Sequence, residues 1–309
     1  MRGAFIETLT NLASEDSSIL LMTGDLGFGV LNRYREQFGS QFLNVGVAEQ
    51  NLAGVAAGIA LTGHHVFTYS IGNFPTLRCL EQLRNDVCYH EANVTVVTVG
   101  GGMAYGTLGP SHFALEDLAI MRVLPNMTVV APGDPLEVRA LVPQLKELGG
   151  PSYLRLGRAG EPDVHPPGTE IILGRPAVVR SGQGVCVLST GGMLPVAVEA
   201  VDILAKETDL SPTLASVHTL AGVEEDGLRD VIKGHDLVIT CEEHSVIGGL
   251  GGFVAEYLAE HRPGVRLLRI GLPRSFPTGI GSQEHMRKVN SLDAPSLERR
   301  IAAAAGILS

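Results

Sequence analysis

A two-domain α/β protein built on mainly parallel sheets is what these 309 residues predict, and three observations predict it. Apolar runs of strand length alternate with helical patterns, as successive βα units require. The runs are continuous in apolar or β-branched residues, the signature of strands covered on both faces. A polar, proline-rich stretch, GEPDVHPPG at 160–168, then divides the alternation into two series. The first series places strands at Ile19–Thr23, Val94–Val99, 127–131 and Ser152–Leu156. Between them, EQNLAGVAAGIALTG from Glu49 reads as a helix. Leu52, Val55, Ala56, Ile59 and Ala60 recur at helical spacing, and Gly63 suits the position just past its end. The small residues of this helix predict unusually close packing on a neighbour. The second series predicts strands at 185–189, 214–220, 237–241 and 266–270, with helices at about 195–206 and 253–261.

Composition narrows the function. The chain is 45% hydrophobic and 18% charged, enough apolar surface for a globular core. Its formal net charge of −10 provides no basic field to gather nucleic acid or an anionic membrane. Small molecules and other proteins are the expected partners. Cys79, Cys88, Cys186 and Cys241 are far apart and form no C-x-x-C, so they read as free thiols of a reducing, cytoplasmic compartment. Glu7, Asn11, Glu15 and Asp16 interrupt the N-terminal segment, which therefore reads as neither signal peptide nor membrane anchor.

Glu49 is the most informative residue, a single carboxylate opening a helix otherwise rich in Ala, Gly, Val, Leu and Ile. Either it faces water and complements the helix dipole, or it is desolvated, with a raised pKa, to share a proton with a nitrogen of a bound heterocycle. Two other features carry less chemistry. Gly248–Gly252 precedes a helix but lacks dinucleotide-binding spacing. Glu242, Glu243 and His244 are adjacent on an extended segment, where side chains alternate between faces, so no metal site is assigned.

Several long motifs, in order, resemble the transketolase family. FLNVGVAEQNLAGVAAGIALTG at 42–63, LEQLRND at 80–86, GPSHFALEDLAIMRVLPNMTVVAPGD at 109–134 and SYLRLGRAG at 152–160 are similar to its pyrimidine-binding domain. CEEHSVIGGLGGFVAE at 241–256 resembles its C-terminal domain. The resemblance implies a pyrimidine-binding domain over 1–165 and a C-terminal domain over 170–309. It also implies thiamine diphosphate as cofactor. The carboxylate matching Glu49 would hydrogen-bond a ring nitrogen of the aminopyrimidine and promote the imino tautomer that deprotonates the thiazolium. Phe74 matches the aromatic that stacks on that ring, and Ile71 lines the same pocket. Asp25 falls close to the cofactor, His112 faces the reacting end of the substrate, and Arg158 matches a phosphate-binding arginine.

The family's Gly-Asp-Gly motif, which holds diphosphate and Mg²⁺, does not occur in this sequence. The implied arrangement is the C-terminal half of a split transketolase. A separate N-terminal subunit would hold the diphosphate and Mg²⁺, in an α2β2 heterotetramer that transfers a two-carbon ketol unit from a ketose to an aldehyde. Two positions depart from the family. Leu108 stands where an Asp usually reads a substrate hydroxyl, and Gly100 where a histidine helps hold the sugar phosphate. Both point away from ordinary pentose phosphates, toward a less hydroxylated substrate. Leu108 keeps open a 2-oxoacid-decarboxylating β subunit or a deoxyxylulose-phosphate-synthase-like enzyme. A non-catalytic scaffold that kept the fold is the rival of a different class.

Overall fold

The computed structural model describes residues 1–222 and 226–307. Two sheets organise it. The first contains β1 (Ile19–Thr23), β2 (Phe42–Asn44), β3 (His65–Ile71), β4 (Val94–Val99), β5 (Thr128–Val130) and β6 (Ser152–Leu156). The second contains β7 (Ala177–Arg180), β8 (Gly184–Ser189), β9 (Thr213–Ser216), β11 (His235–Ser245) and β12 (Arg266–Leu272). The intervening β10 (Thr219–Ala221) joins the first sheet, whose order is β10-β5-β6-β4-β3-β1-β2. Among the described residues only β10 runs antiparallel there; in the second sheet, ordered β12-β11-β8-β9-β7, only β7 does. The expected α/β class with mainly parallel sheets is thus observed.

The expected single strand over 214–220 is two strands in two sheets. β9 pairs with β8, whereas β10 pairs with β5. The chain changes sheets at Val217 and His218, where the Val217 N–H bonds to Ser189 and the His218 carbonyl accepts from Ala131 N–H. Leu214, Ala215, Val217 and Leu220 keep the segment strand-like on both sides of Ser216 and His218, so hydrophobicity alone does not mark the exchange. The crossing also stitches the second half of the chain to the edge of the first sheet.

β3, an interior strand of the first sheet, escaped the strand pattern because its apolar residues are interrupted by His65, Thr68 and Ser70, all of them buried. A polar ladder accommodates His65. His65 Nε2 lies 2.8 Å from Thr95 Oγ1, which lies 2.8 Å from Ser152 Oγ, joining β3, β4 and β6 side by side. The helix Glu49–Ala60 covers this sheet with Leu52, Ala53, Ala56, Ala57 and Ala60 buried. Its buried face is largely alanine, which brings the helix backbone close to the strands and carries Glu49 inward with it.

Burial, and secondarily the charge of Lys146, pull the His65 pKa down to about 4. Unfolded, the imidazole takes up its proton near pH 6.5. Between those values the unfolded chain binds the extra proton, so this residue's stability contribution is lost as pH falls from about 6.5 to about 4. His65→Gln should flatten the fall of the thermal midpoint across that window, measured by calorimetry in parallel with the unsubstituted chain.

Candidate active site

The carboxyl ends of the parallel strands, where open α/β sheets collect ligands, gather most of the chemistry-bearing residues. β1 leads into Gly24 and Asp25, β3 ends at Ile71, β4 leads into Gly100–Gly102, and β6 leads toward Arg158.

Glu49 is the first residue of its helix and only 3% exposed. Its side chain is thus buried rather than turned to water. Gly24 packs against it, and behind it lie Leu52, Ala53, Thr68 and Cys79. Burial first, and then the Glu49 carboxylate, push the Cys79 thiol up to about 12, so this sulfur is an inert wall of the site. The carboxylate meets a residue that the sequence motifs did not single out: Arg78 Nη1 donates to Glu49 Oε2 at 2.6 Å. The same guanidinium lies over the Phe74 ring, 4.5 Å from its centroid. Phe74 in turn meets His112 edge-on, with ring centroids 5.1 Å apart. Glu49, Arg78, Phe74 and His112 form one contiguous line.

Local backbone geometry makes this line. Gly72 has φ +43°, and a side chain there would come within 3.3 Å of the His112 carbonyl. A glycine at the end of β3 thus allows the 110–112 turn to approach Phe74. His112 Nδ1 lies 3.0 Å from Ser111 Oγ, which orients the half-buried imidazole. Ile71 is half-buried at the same strand end.

A second cluster surrounds Gly100. Its φ is +86°, and a Cβ there would collide with the ring of Tyr105. Tyr105 therefore takes the space that a larger residue at position 100 would need. The Arg158 guanidinium lies 5.4 Å from the centre of that ring, an aromatic support for an otherwise exposed cation. Sequence reading missed Tyr105, although a bulky side chain three residues after three consecutive glycines was the available signal. Leu108 is 52% exposed and adds apolar surface in the short helical turn Gly106–Leu108.

Asp25 lies at the same sheet end, exposed and joined to Asn44. Its backbone has φ +59°, its N–H donates to Asn44 Oδ1, and its Oδ1 accepts from Asn44 Nδ2. These bonds tie the ends of β1 and β2 together, the turn-forming role left open by its position after Gly24.

The glycine loop after β4 is held by a buried polar seam. Arg155 Nε donates to Asp117 Oδ2 at 2.8 Å, and Tyr153 Oη donates to the same oxygen at 2.6 Å. Arg155 Nη2 donates to the carbonyls of Ala114 and Glu243. Glu243, on β11, accepts from Met103 N–H, Gln283 and Arg287. Its neighbours on the strand do other work. Glu242 accepts from the N–H groups of Leu250 and Gly251 at the start of the helix Leu250–His261, although burial pushes its pKa up to about 7. An internal carboxylate thus takes the helix end that the Gly248–Gly252 run offers to an anion.

Comparison with known proteins fits this geometry. Residues 1–160 match the transketolase pyrimidine-binding domain, and residues 174–296 match the transketolase C-terminal domain. The chain belongs to the transketolase family. One of the subunits of an apulose-4-phosphate transketolase from Phocaeicola vulgatus is 34% identical over 88% of this chain and 87% of its own. The 6-deoxy-6-sulfo-D-fructose transketolase subunit SqwH of a Clostridium species is 34% identical over 97% of this chain and 92% of its own. A solved structure described as a split gene transketolase, an inactive beta4 tetramer, superposes with a TM-score of 0.89. It is 34% identical, and the match covers all of this chain and 99% of that one. The family is one of thiamine-diphosphate-dependent transferases, and this chain is a transketolase-type member. Among the described residues no helix is long and apolar enough to cross a membrane.

The seam yields a stability prediction. Arg155 and Asp117 are 4% and 1% exposed, so Asp117→Asn leaves a buried guanidinium without its counter-charge. Breaking such a pair typically costs about 3–5 kcal/mol. Urea unfolding of the Asp117→Asn chain should show a loss of that order.

Proposed function

We propose that this chain is the ring-holding subunit of a two-component thiamine-diphosphate enzyme, transferring a two-carbon ketol unit from a ketose to an aldehyde. One observation carries the reading: a planar, nitrogen-bearing group already lies between Glu49 and Phe74, hydrogen-bonded to the first and stacked on the second. An aminopyrimidine asks for those same two contacts. The residues present therefore fit the ring of the cofactor.

When bound, thiamine diphosphate supplies a carbanion and the sink that stabilises it. The protein residues have narrower tasks. Glu49, buried among small apolar side chains, would hold a proton against a ring nitrogen and so control the tautomer. Phe74 would fix the plane of the ring through dispersion and quadrupole contacts, with no hydrogen-bond demand of its own. His112, at the edge of Phe74, would give or take a proton at the substrate's ketol oxygen. Arg158, backed by Tyr105, would bind an anionic group on the substrate through its planar fork. Leu108 offers no acceptor to a hydroxyl, which favours a substrate with fewer hydroxyls at that position. Ile71 would line the ring's pocket.

Relatives named as subunits support a partner chain, which in this reading would hold the diphosphate and Mg²⁺ in an α2β2 assembly. The cysteines are all buried and unpaired, in keeping with a cytoplasmic setting. Replacing Glu49 by Gln removes the transferable proton while keeping shape and hydrogen-bonding capacity. The complex carrying that substitution should fold normally by circular dichroism and lose about 10²- to 10⁴-fold in kcat for aldehyde formation from a ketose. Turnover near the unsubstituted rate would refute the assigned role. Release of CO₂ from pyruvate in the same assay, without ketol transfer, would assign the chain to the decarboxylating branch instead.

A further inference from the structure

We infer that Arg78 is a latch on the pyrimidine slot: in the ring-free chain it takes the cofactor ring's place between Glu49 and Phe74, and must swing out to admit it. The inference rests on the functional reading above and deepens it.

Three features converge. The guanidinium satisfies Glu49 by a 2.6 Å charge-assisted hydrogen bond and covers Phe74 by a cation–π contact, occupying both ring-binding groups at once. The two partners differ sharply in burial, since the Glu49 side chain is 2% exposed and that of Arg78 is 47% exposed. Glu49 cannot turn to water for compensation, whereas Arg78 reaches in from the surface and can return to it with its charge fully hydrated. Finally, Arg78 sits in the short turn Leu77–Cys79, where Leu77 is exposed as well, so its withdrawal disturbs no packed core. Without the ring, Arg78 spares the chain an unpartnered buried carboxylate. With the ring, the same contacts compete against binding, and the apparent affinity falls by the fraction of time the slot is open.

The competition has a direction that simple electrostatics does not give. Thiamine diphosphate is an anion, so removal of a nearby cation should weaken its binding by Coulomb attraction alone. A latch predicts the reverse. The experiment is isothermal titration calorimetry on the full chain, and on its complex with the diphosphate-holding partner. Thiamine diphosphate is one probe, and neutral 4-amino-5-hydroxymethyl-2-methylpyrimidine is the other. A latch closed about ten times as often as open implies that Arg78→Met binds both probes about tenfold more tightly. Arg78→Lys, which keeps a point charge but loses the planar stack, should fall between Met and the native residue. Equal or weaker binding by Arg78→Met, with native binding still dependent on Glu49, would overturn the latch and leave the functional reading standing. Absence of binding by every variant, in both the chain and the complex, would contradict the functional reading and the latch with it.

Discussion

A carboxylate buried in the first turn of an alanine-faced helix has to be answered by something, because an unpartnered charge in apolar surroundings is among the costliest features a fold can hold. Glu49 is that carboxylate, and much of the site is arranged around it. Alanines let its helix settle close to the sheet, and Gly24 lets the end of β1 come up against the side chain. The apolar lining contributed by Leu52, Ala53 and Cys79 removes competing water. A partner reaches the carboxylate from the side of Phe74. In the structure that partner is a guanidinium; in the enzyme cycle proposed for the chain it is a heterocyclic ring. The same physical demand thus accounts for the resting arrangement and for the chemistry.

A second constraint sets where the substrate can sit. The glycines at 100–102 form a loop that side chains would block: Tyr105 presses on the first, Arg155 on the second and Glu243 on the third. Arg155 and Glu243 come from different sheets, so the loop is fixed by the seam between the two halves of the molecule. Closing that seam places Tyr105 beneath Arg158 and leaves His112 beside Phe74. The C-terminal half, which contributes no residue to the line from Glu49 to His112, still governs the shape of the site through Glu243.

Much of this was legible in the sequence, for identifiable reasons. The doubly covered strands β1 and β4 announce themselves as runs of apolar or β-branched residues, and the helix after Glu49 announces itself by period. Glu49, Phe74 and His112 stand out through motif order, and the fold brings them to one place. β3 was hidden because His65, Thr68 and Ser70 break its apolar pattern although all three are buried, His65 meeting Thr95 on the next strand. The exchange between β9 and β10 was hidden because only Val217 and His218 separate two short strands of similar composition. Arg78 and Tyr105 were hidden for a different reason. Each matters through one contact with a residue distant in sequence or in shape, Arg78 with Glu49 and Tyr105 with the empty side of Gly100. Asp25, whose location suggested chemistry, also carries a local tie that the sequence did not show, its N–H and Oδ1 both bonded to Asn44.

The most direct test of the central claim, that this chain holds one end of a cofactor shared with another polypeptide, is its isolation from native extract under mild conditions. Co-purifying proteins are identified by mass spectrometry, and thiamine diphosphate is quantified per chain. The account predicts a stoichiometric partner carrying a Gly-Asp-Gly motif and close to one thiamine diphosphate for each copy of this chain. A chain recovered alone, and still free of the cofactor after mixing with every candidate partner, would contradict it.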